Sequence, residues 1–397
     1  MAARLTMNDS LATSERPVVL QVLHSLEVGG AEILATRIAR RLQHRYEFVF
    51  GCLDGLGTLG HELIGEGFRV EVLGRKAGLD VGCVRRLAQL AQSCRAGLIH
   101  AHQYTPFFYS RAPGWLGPRV PVLFTEHGRM HPDLPNRKRM LFNRLFLRSQ
   151  DRVVAVGESV KTALVKNEGI PGNKIEVIYN GVRLDDFTTD ASLREQMRSE
   201  LGIRPQQPVA IQVARLDYLK DHSTAIRAAA RVREQHPDFQ LLLVGEGPER
   251  AKIEHEILER DLGATVRLLG LRSDVRQLLA AGDLFLLTSI SEGIPVTLIE
   301  AMAARLPIVS TDVGGVAEVV LDGRNGWLAP AKNDEALATG ILKVLRNPAQ
   351  AQQLASAGAE RAHDLFSEGQ MHRSYATIYD RLASVAVSKQ PLALQEA

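Results

Sequence analysis

Residues Ser289–Gly315 read SISEGIPVTLIEAMAARLPIVSTDVGG, and the reading of the whole chain turns on them. At the centre is EGIPVTLIE, from Glu292 to Glu300. Pro295 suits the first turn of a helix, where its missing N–H costs nothing. Val296, Ile299, Ala303 and Leu306 follow at helical spacing. The pattern predicts a loop carrying Glu292 that feeds a helix over 296–304 carrying Glu300. Such a helix start presents free backbone N–H groups and a positive dipole end, which suit phosphate. Two carboxylates bracket that anion site. Their charge repels phosphate, but both can accept hydrogen bonds from the hydroxyls of a ribose or a sugar. A diphosphate flanked by hydroxyl-rich rings describes a nucleotide sugar.

Outward from this stretch the pattern is alternation. Residues 209–213, 240–244, 265–269, 283–287 and 307–310 read as short apolar strands, with helices over 221–235, 248–261 and 274–280 between them. The first half repeats the theme. Strands are predicted at 17–23, 48–52, 69–73, 98–101, 120–124, 152–156 and 174–178. Continuous apolar strands separated by helices imply a parallel sheet covered on both faces. The segment 184–208 is charged and has no apolar strand, so it reads as a connection; the tail, 333–387, reads as helical. The expected organisation is an N-terminal lead-in over 1–16 without order, Rossmann-like domains over 17–190 and 191–366, and a C-terminal helix over 367–390 crossing back to the first domain. Two such domains facing each other would leave a cleft for a ligand.

Composition sets the class. The 397 residues are 45% hydrophobic and 23% charged, which is globular. Cys52, Cys83 and Cys94 show no metal or redox spacing and read as reduced thiols. No apolar run reaches transmembrane length, and the N-terminus lacks a signal-peptide core, so a cytoplasmic location is expected. The net charge of +3 is uneven. Residues 1–200 carry 27 Lys and Arg against 21 Asp and Glu, and eight basic residues fall within 111–148. The stretch 136–148, NRKRMLFNRLFLR, fits an amphipathic helix on an anionic membrane surface. It also fits a helix packed on the sheet with a basic outer face, which strands on both sides would need. No aromatic stacking motif accompanies the charge, so nucleic acid is not an expected partner.

In open α/β sheets ligands bind outside the carboxyl ends of the strands, and polar or glycine residues follow several predicted strands. Gly29-Gly30, His127-Gly128 and Asn180-Gly181 do so in the first half. In the second, Arg215 and Lys220 can clamp phosphate oxygens, and Gly245 and Gly247 permit a close backbone approach to a ligand or form a tight turn. His127 at a strand end can hydrogen-bond a sugar, act in acid–base chemistry, or serve as a structural partner. The dinucleotide fingerprint GxGxxG is not met, because Arg250 stands at the third glycine position. HExxH and GxSxG are absent, and neither a cofactor nor an obligatory metal is expected.

These segments together resemble glycosyltransferase family 4: HSLEVGGAE from His24, TEHG from Thr125, YNGV from Tyr179, ARLDYLK from Ala214, VGEGPER from Val244 and the glutamate stretch with its PIVSTDVGG. The resemblance spans about residues 17–387. It implies a retaining enzyme of the GT-B fold that moves a sugar from a nucleoside diphosphate sugar, UDP most often, to an acceptor hydroxyl. It assigns Glu292 to the donor sugar's hydroxyls, Glu300 to the ribose, and Arg215 with Lys220 to the diphosphate. His127 falls near the reacting sugar, Gly30 in the glycine loop, and Gly293, Ile294 and Val296 where backbone approaches the donor. The family usually has Gly before the Arg and after the Lys; Ala214 and Asp221 stand there. Expected partners are the nucleotide-sugar donor, a sugar, lipid-linked or small-molecule acceptor, and an anionic surface at the inner membrane face. An epimerase or phosphorylase on the same fold, and a non-catalytic nucleotide-sugar binder, are the alternatives.

Overall fold

The computed structural model describes residues 16–111, 118, 120–128, 134–187 and 190–387. The lead-in over 1–15 lies outside them. Thirteen strands are present among the described residues: β1 (Val18–Leu23), β2 (Glu47–Cys52), β3 (Arg69–Val72), β4 (Leu98–His102), β5 (Val122–Glu126), β6 (Arg152–Ala155), β7 (Ile175–Val177), β8 (Val209–Val213), β9 (Gln240–Val244), β10 (Val266–Gly270), β11 (Leu284–Leu287), β12 (Ile308–Thr311) and β13 (Trp327–Ala329). They form two sheets, ordered β3-β2-β1-β4-β5-β6-β7 and β10-β9-β8-β11-β12-β13. The pairings β1–β2, β1–β4, β2–β3, β6–β7, β8–β9, β8–β11, β9–β10, β11–β12 and β12–β13 are parallel, as continuous apolar strands with helical crossovers predict. β13 is the strand the sequence reading missed: three residues at a sheet edge carry too little pattern.

The strand period of two explains the second sheet's core. Ile211, Leu242, Phe285 and Leu287 face one buried cluster with Leu298, Ile299 and Met302. Their neighbours Ala210, Leu241, Leu243 and Leu286 face another with Ala225, Ile226 and Leu337. The central strands β8, β9 and β11 therefore bury both faces, unlike the edge strand β10, where Arg267 is exposed.

By internal contacts the chain forms two compact units. One comprises Met1–Phe124, Arg148–Asp151 and Ile378–Ala397; the other comprises Thr125–Leu147 and Arg152–Thr377. Within the first, Tyr379 of the last helix (Glu368–Val387) is fully buried; its hydroxyl lies 2.7 Å from His100 Nδ1 and accepts from Gln21 at 3.2 Å. Asp151 bridges the buried Arg111 guanidinium at 2.6 Å and the Val122 amide at 3.1 Å. Within the second, Val182 and residues Phe366–Glu368 exchange backbone hydrogen bonds, which closes the chain's return beside Asn180.

The segment 136–148 differs from the sheet-packed reading. Its helix, Arg137–Phe146, buries only Asn143, which donates to the Glu168 carbonyl at 2.9 Å. Leu141 and Leu145, one turn apart, are 60% and 64% exposed.

Candidate active site

The second sheet changes direction between β8 and β11: from β8 the chain winds to β9 and β10, from β11 to β12 and β13. Loops leaving adjacent strands at such a switch point diverge and leave a crevice at their carboxyl ends. The β8 loop carries Arg215 and Lys220, and the β11 loop carries Glu292. Lys220 Nζ donates to Glu292 Oε1 at 2.6 Å, and Ser289 Oγ donates to the same oxygen at 2.5 Å. The Glu292 side chain is only 9% exposed, so this ion pair works in a partly dehydrated setting where charge is felt more strongly than in water. The Arg215 guanidinium is exposed and donates no hydrogen bond to the described residues. One cation is thus engaged and one is available to an anion.

Buried hydroxyls hold the two loops in register. Thr288 at the end of β11 lies 2.9 Å from the Lys220 carbonyl and 3.0 Å from that of Asp221, and Gln212 donates to its hydroxyl at 3.2 Å. Thr311 donates to the Ser289 carbonyl at 2.6 Å, and the Ile290 amide to the Leu219 carbonyl at 2.8 Å. Sequence reading missed Thr288, Ser289 and Thr311; a hydroxyl residue at a strand's carboxyl end was the available signal.

Around Glu292 the backbone is crowded. A Cβ on Gly314, whose φ is +53°, would fall 2.0 Å from the Glu292 carbonyl oxygen, and one on Gly315 2.2 Å from that of Gly293. Only glycine fits there, which explains the DVGG that closes the diagnostic stretch. A Cβ on Gly293 would lie 3.5 Å from the His127 carbonyl oxygen and 3.7 Å from Gly128 Cα. The structure therefore brings the His127 loop against the Glu292–Ile294 loop. Desolvation pushes His127 down to about 3, so its imidazole is neutral near pH 7 and can donate or accept a hydrogen bond. Pro295 stands just before the helix Val296–Ala303 rather than in its first turn. Ile294 is buried, while Val296 and Glu300 are half-buried on that helix.

Two family profiles match the chain. One, described as glycosyl transferases group 1, covers residues 194–361; the other, Glycosyltransferase Family 4, covers 28–186. This chain is a group 1 glycosyltransferase. N-acetyl-alpha-D-glucosaminyl L-malate synthase of Bacillus anthracis is 26% identical over 89% of this chain and 94% of its own length. The amylovoran biosynthesis glycosyltransferase AmsK of Erwinia amylovora is 31% identical over 54% of this chain and 53% of its own length. The crystal structure of Anabaena HepE with UDP-glucose aligns at a TM-score of 0.77 and 25% identity over 94% of this chain and 99% of that one. The two parallel sheets are those of the GT-B fold.

The glycosyltransferase's departures from the usual family pattern have a local explanation. Asp221 adopts φ +44°, a conformation that favours glycine. Its side chain offsets that cost by capping the helix His222–Arg233, accepting from the Thr224 amide at 3.3 Å and its hydroxyl at 2.6 Å. Gly245 and Gly247 meet protein backbone: a Cβ on either would fall 2.1 Å from the Ala214 carbonyl oxygen or 2.3 Å from that of Leu216. Their glycine identity therefore lets the β9 loop lie on the clamp loop. Gly29 precedes the helix Gly30–Leu42, where Glu32 folds back towards it; a Cβ on Gly30 would meet nothing within 4 Å. Asn180 is half-buried beside Gly181, whose amide faces Met371. Among the described residues no cluster of His, Cys, Asp or Glu could hold a metal ion.

Proposed function

We propose that this enzyme transfers a sugar, with retention and without a metal, from a nucleoside diphosphate sugar to an acceptor hydroxyl, and that UDP is the nucleotide. The Lys220–Glu292 pair at 2.6 Å, beside the uncommitted Arg215, carries this reading. The difficulty of the reaction is the charge that develops on the departing diphosphate. Arg215, Lys220 and the backbone N–H groups at the start of the helix Val296–Ala303 are preorganised positive groups that would stabilise it. Glu292 is tied by Lys220 and Ser289, which suits it to receive a sugar hydroxyl rather than to attack carbon. The acceptor oxygen then attacks C1 on the face the diphosphate leaves. The C1–O bond to phosphate breaks, and the departing phosphate oxygen takes the acceptor proton. Neutral His127 would orient the sugar. Support for UDP comes from HepE, crystallised with UDP-glucose, and the amylovoran biosynthesis relative supports a role in polysaccharide synthesis.

Calorimetric titration with UDP, GDP, ADP, UDP-glucose, UDP-N-acetylglucosamine, GDP-mannose and NAD tests the donor. One uridine ligand should bind selectively, and Glu300→Ala should weaken it by about tenfold, the loss of a hydrogen bond to ribose. Binding of NAD alone, or unchanged affinity in the variant, would sink the assignment.

The acceptor side is read as an anionic membrane surface at the inner face. Leu134, Leu141 and Leu145 are exposed next to Arg137, Lys138 and Arg144, so apolar and basic groups share one surface. Among the described residues no helix is long and apolar enough to cross a membrane. The protein should co-sediment with phosphatidylserine vesicles at low salt, and Leu141→Gln with Leu145→Gln should abolish it. Equal sedimentation of both proteins would discard this surface.

A further inference from the structure

Glu318 lies on the short helix Val316–Val319, after β12 and the Gly314-Gly315 pair. Its carboxylate reaches the start of a different helix, Glu158–Glu168, which leaves β6 of the first sheet. There it accepts from the Glu158 amide at 2.6 Å and the Ser159 amide at 2.7 Å, and Tyr179 donates to it at 3.1 Å. Gly157, which precedes that helix, offers no side-chain cap of its own. A carboxylate 160 residues away therefore does what an N-cap residue does locally, with the helix dipole adding to its hold. Arg361 fixes the far side of the bridge, donating to the Glu318 carbonyl at 2.7 Å and the Val319 carbonyl at 3.1 Å.

What the bridge encloses ties it to the site. A Cβ on Gly157 would lie 3.0 Å from Ile294 Cδ1 and 3.1 Å from Glu318 Oε2. A Cβ on Gly315 would lie 2.8 Å from the same Ile294 carbon. Ile294 is thus seated between the start of the bridged helix and the glycine pair that precedes Glu318. It is two residues from Glu292, and Gly293 between them lies against the His127 loop.

We infer that Glu318 is a positioning residue for sugar transfer: it caps the helix Glu158–Glu168 across the fold and so holds the Glu292–Ile294 loop against His127. The inference rests on the proposed transfer for its catalytic consequence and on the hydrogen bonds alone for its structural one. Charge-assisted bonds to two amides are short and directional, so their loss loosens the helix start against which Ile294 is seated. The effect should therefore fall on turnover, which needs His127 and Glu292 aligned, and spare nucleotide affinity, which depends on Arg215, Lys220 and Glu300.

Hydrogen exchange, UDP titration and UDP release from UDP-glucose would be measured on wild type, Glu318→Ala, Glu318→Gln and Tyr179→Phe. In Glu318→Ala, exchange at the Glu158 and Ser159 amides should rise at least tenfold and exchange over 292–294 should rise with it. kcat should drop at least tenfold while the UDP Kd stays within threefold. Glu318→Gln, which keeps one acceptor oxygen, should recover part of both losses. Tyr179→Phe should show a smaller change of the same kind and serves if Glu318→Ala fails to fold. Unchanged exchange at 158–159 overturns the bridge. Raised exchange with kcat within twofold of wild type overturns the positioning role. If wild type releases no UDP, the transfer reading with this donor fails, and exchange over 292–294 still decides whether the bridge holds the loop.

Discussion

β1 and β8 occupy the same place in their sheets. Each stands where the strand order turns, with its successor on one side and the third strand after it on the other. The topology therefore builds a crevice at the end of each. The two loops were given different chemistry. After β1 come Gly29 and Gly30, with open space at Gly30 and a carboxylate, Glu32, in the first turn of the helix. Burial raises Glu32 above the usual carboxylate range, as expected for an acid kept from water. After β8 come Arg215 and Lys220, backed by Asp217, Asp221, Thr288 and the glycines of the β9 loop. Both loops are packed by a neighbouring glycine, Gly57 against Leu26 and Glu27 in the first, Gly245 and Gly247 against Ala214 and Leu216 in the second; the first carries no Lys or Arg and leaves open space at Gly30, while the second is cationic. Topology decides where a ligand can bind, and side chains decide which ligand.

Breaking the cationic loop should have the largest effect. Arg215→Ala combined with Lys220→Ala should reduce kcat for nucleoside diphosphate release by about a thousandfold or more, since removing a single preorganised donor from a developing anion already costs ~10²–10³. A normal kcat in that variant would remove the leaving-group argument and with it the distinction between the loops. Backbone bracing sharpens the contrast on a smaller scale. Gly247→Ala drives a methyl group into the Leu216 carbonyl and should lower unfolding stability in urea by about 1–3 kcal/mol. Gly30→Ala has space and a helical conformation to enter, so it should fall within about 1 kcal/mol of wild type, on the stabilising side. Equal losses in the two variants would mean that Gly30 is as confined as Gly247.

Much of this was legible in the sequence. The strands over 209–213 and 240–244 coincide with β8 and β9 to the residue, and most of the others fall within one or two. The exception is β13, where the GWLAP segment has neither length nor periodicity. Arg215, Lys220 and Glu292 could be nominated together because each follows a readable strand. The helix at 137–146 went otherwise: its apolar residues were legible, but the side they face was not. Leu141 and Leu145 fit a buried stripe and an exposed one equally well until the neighbours are known.

Sequence alone determined the periodicities, the glycines and the inventory of charged groups, because those depend on residues a few positions apart. Tertiary structure decided which of them meet. Lys220 and Glu292 are 72 residues apart, and Glu318 and the Glu158 amide 160. Whether such groups pair depends on the order in which parallel strands assemble and on how closely their loops can pass, and no local pattern encodes either. That is why Glu318 reads in the sequence as one more acidic residue, and in the folded chain as the cap of a distant helix.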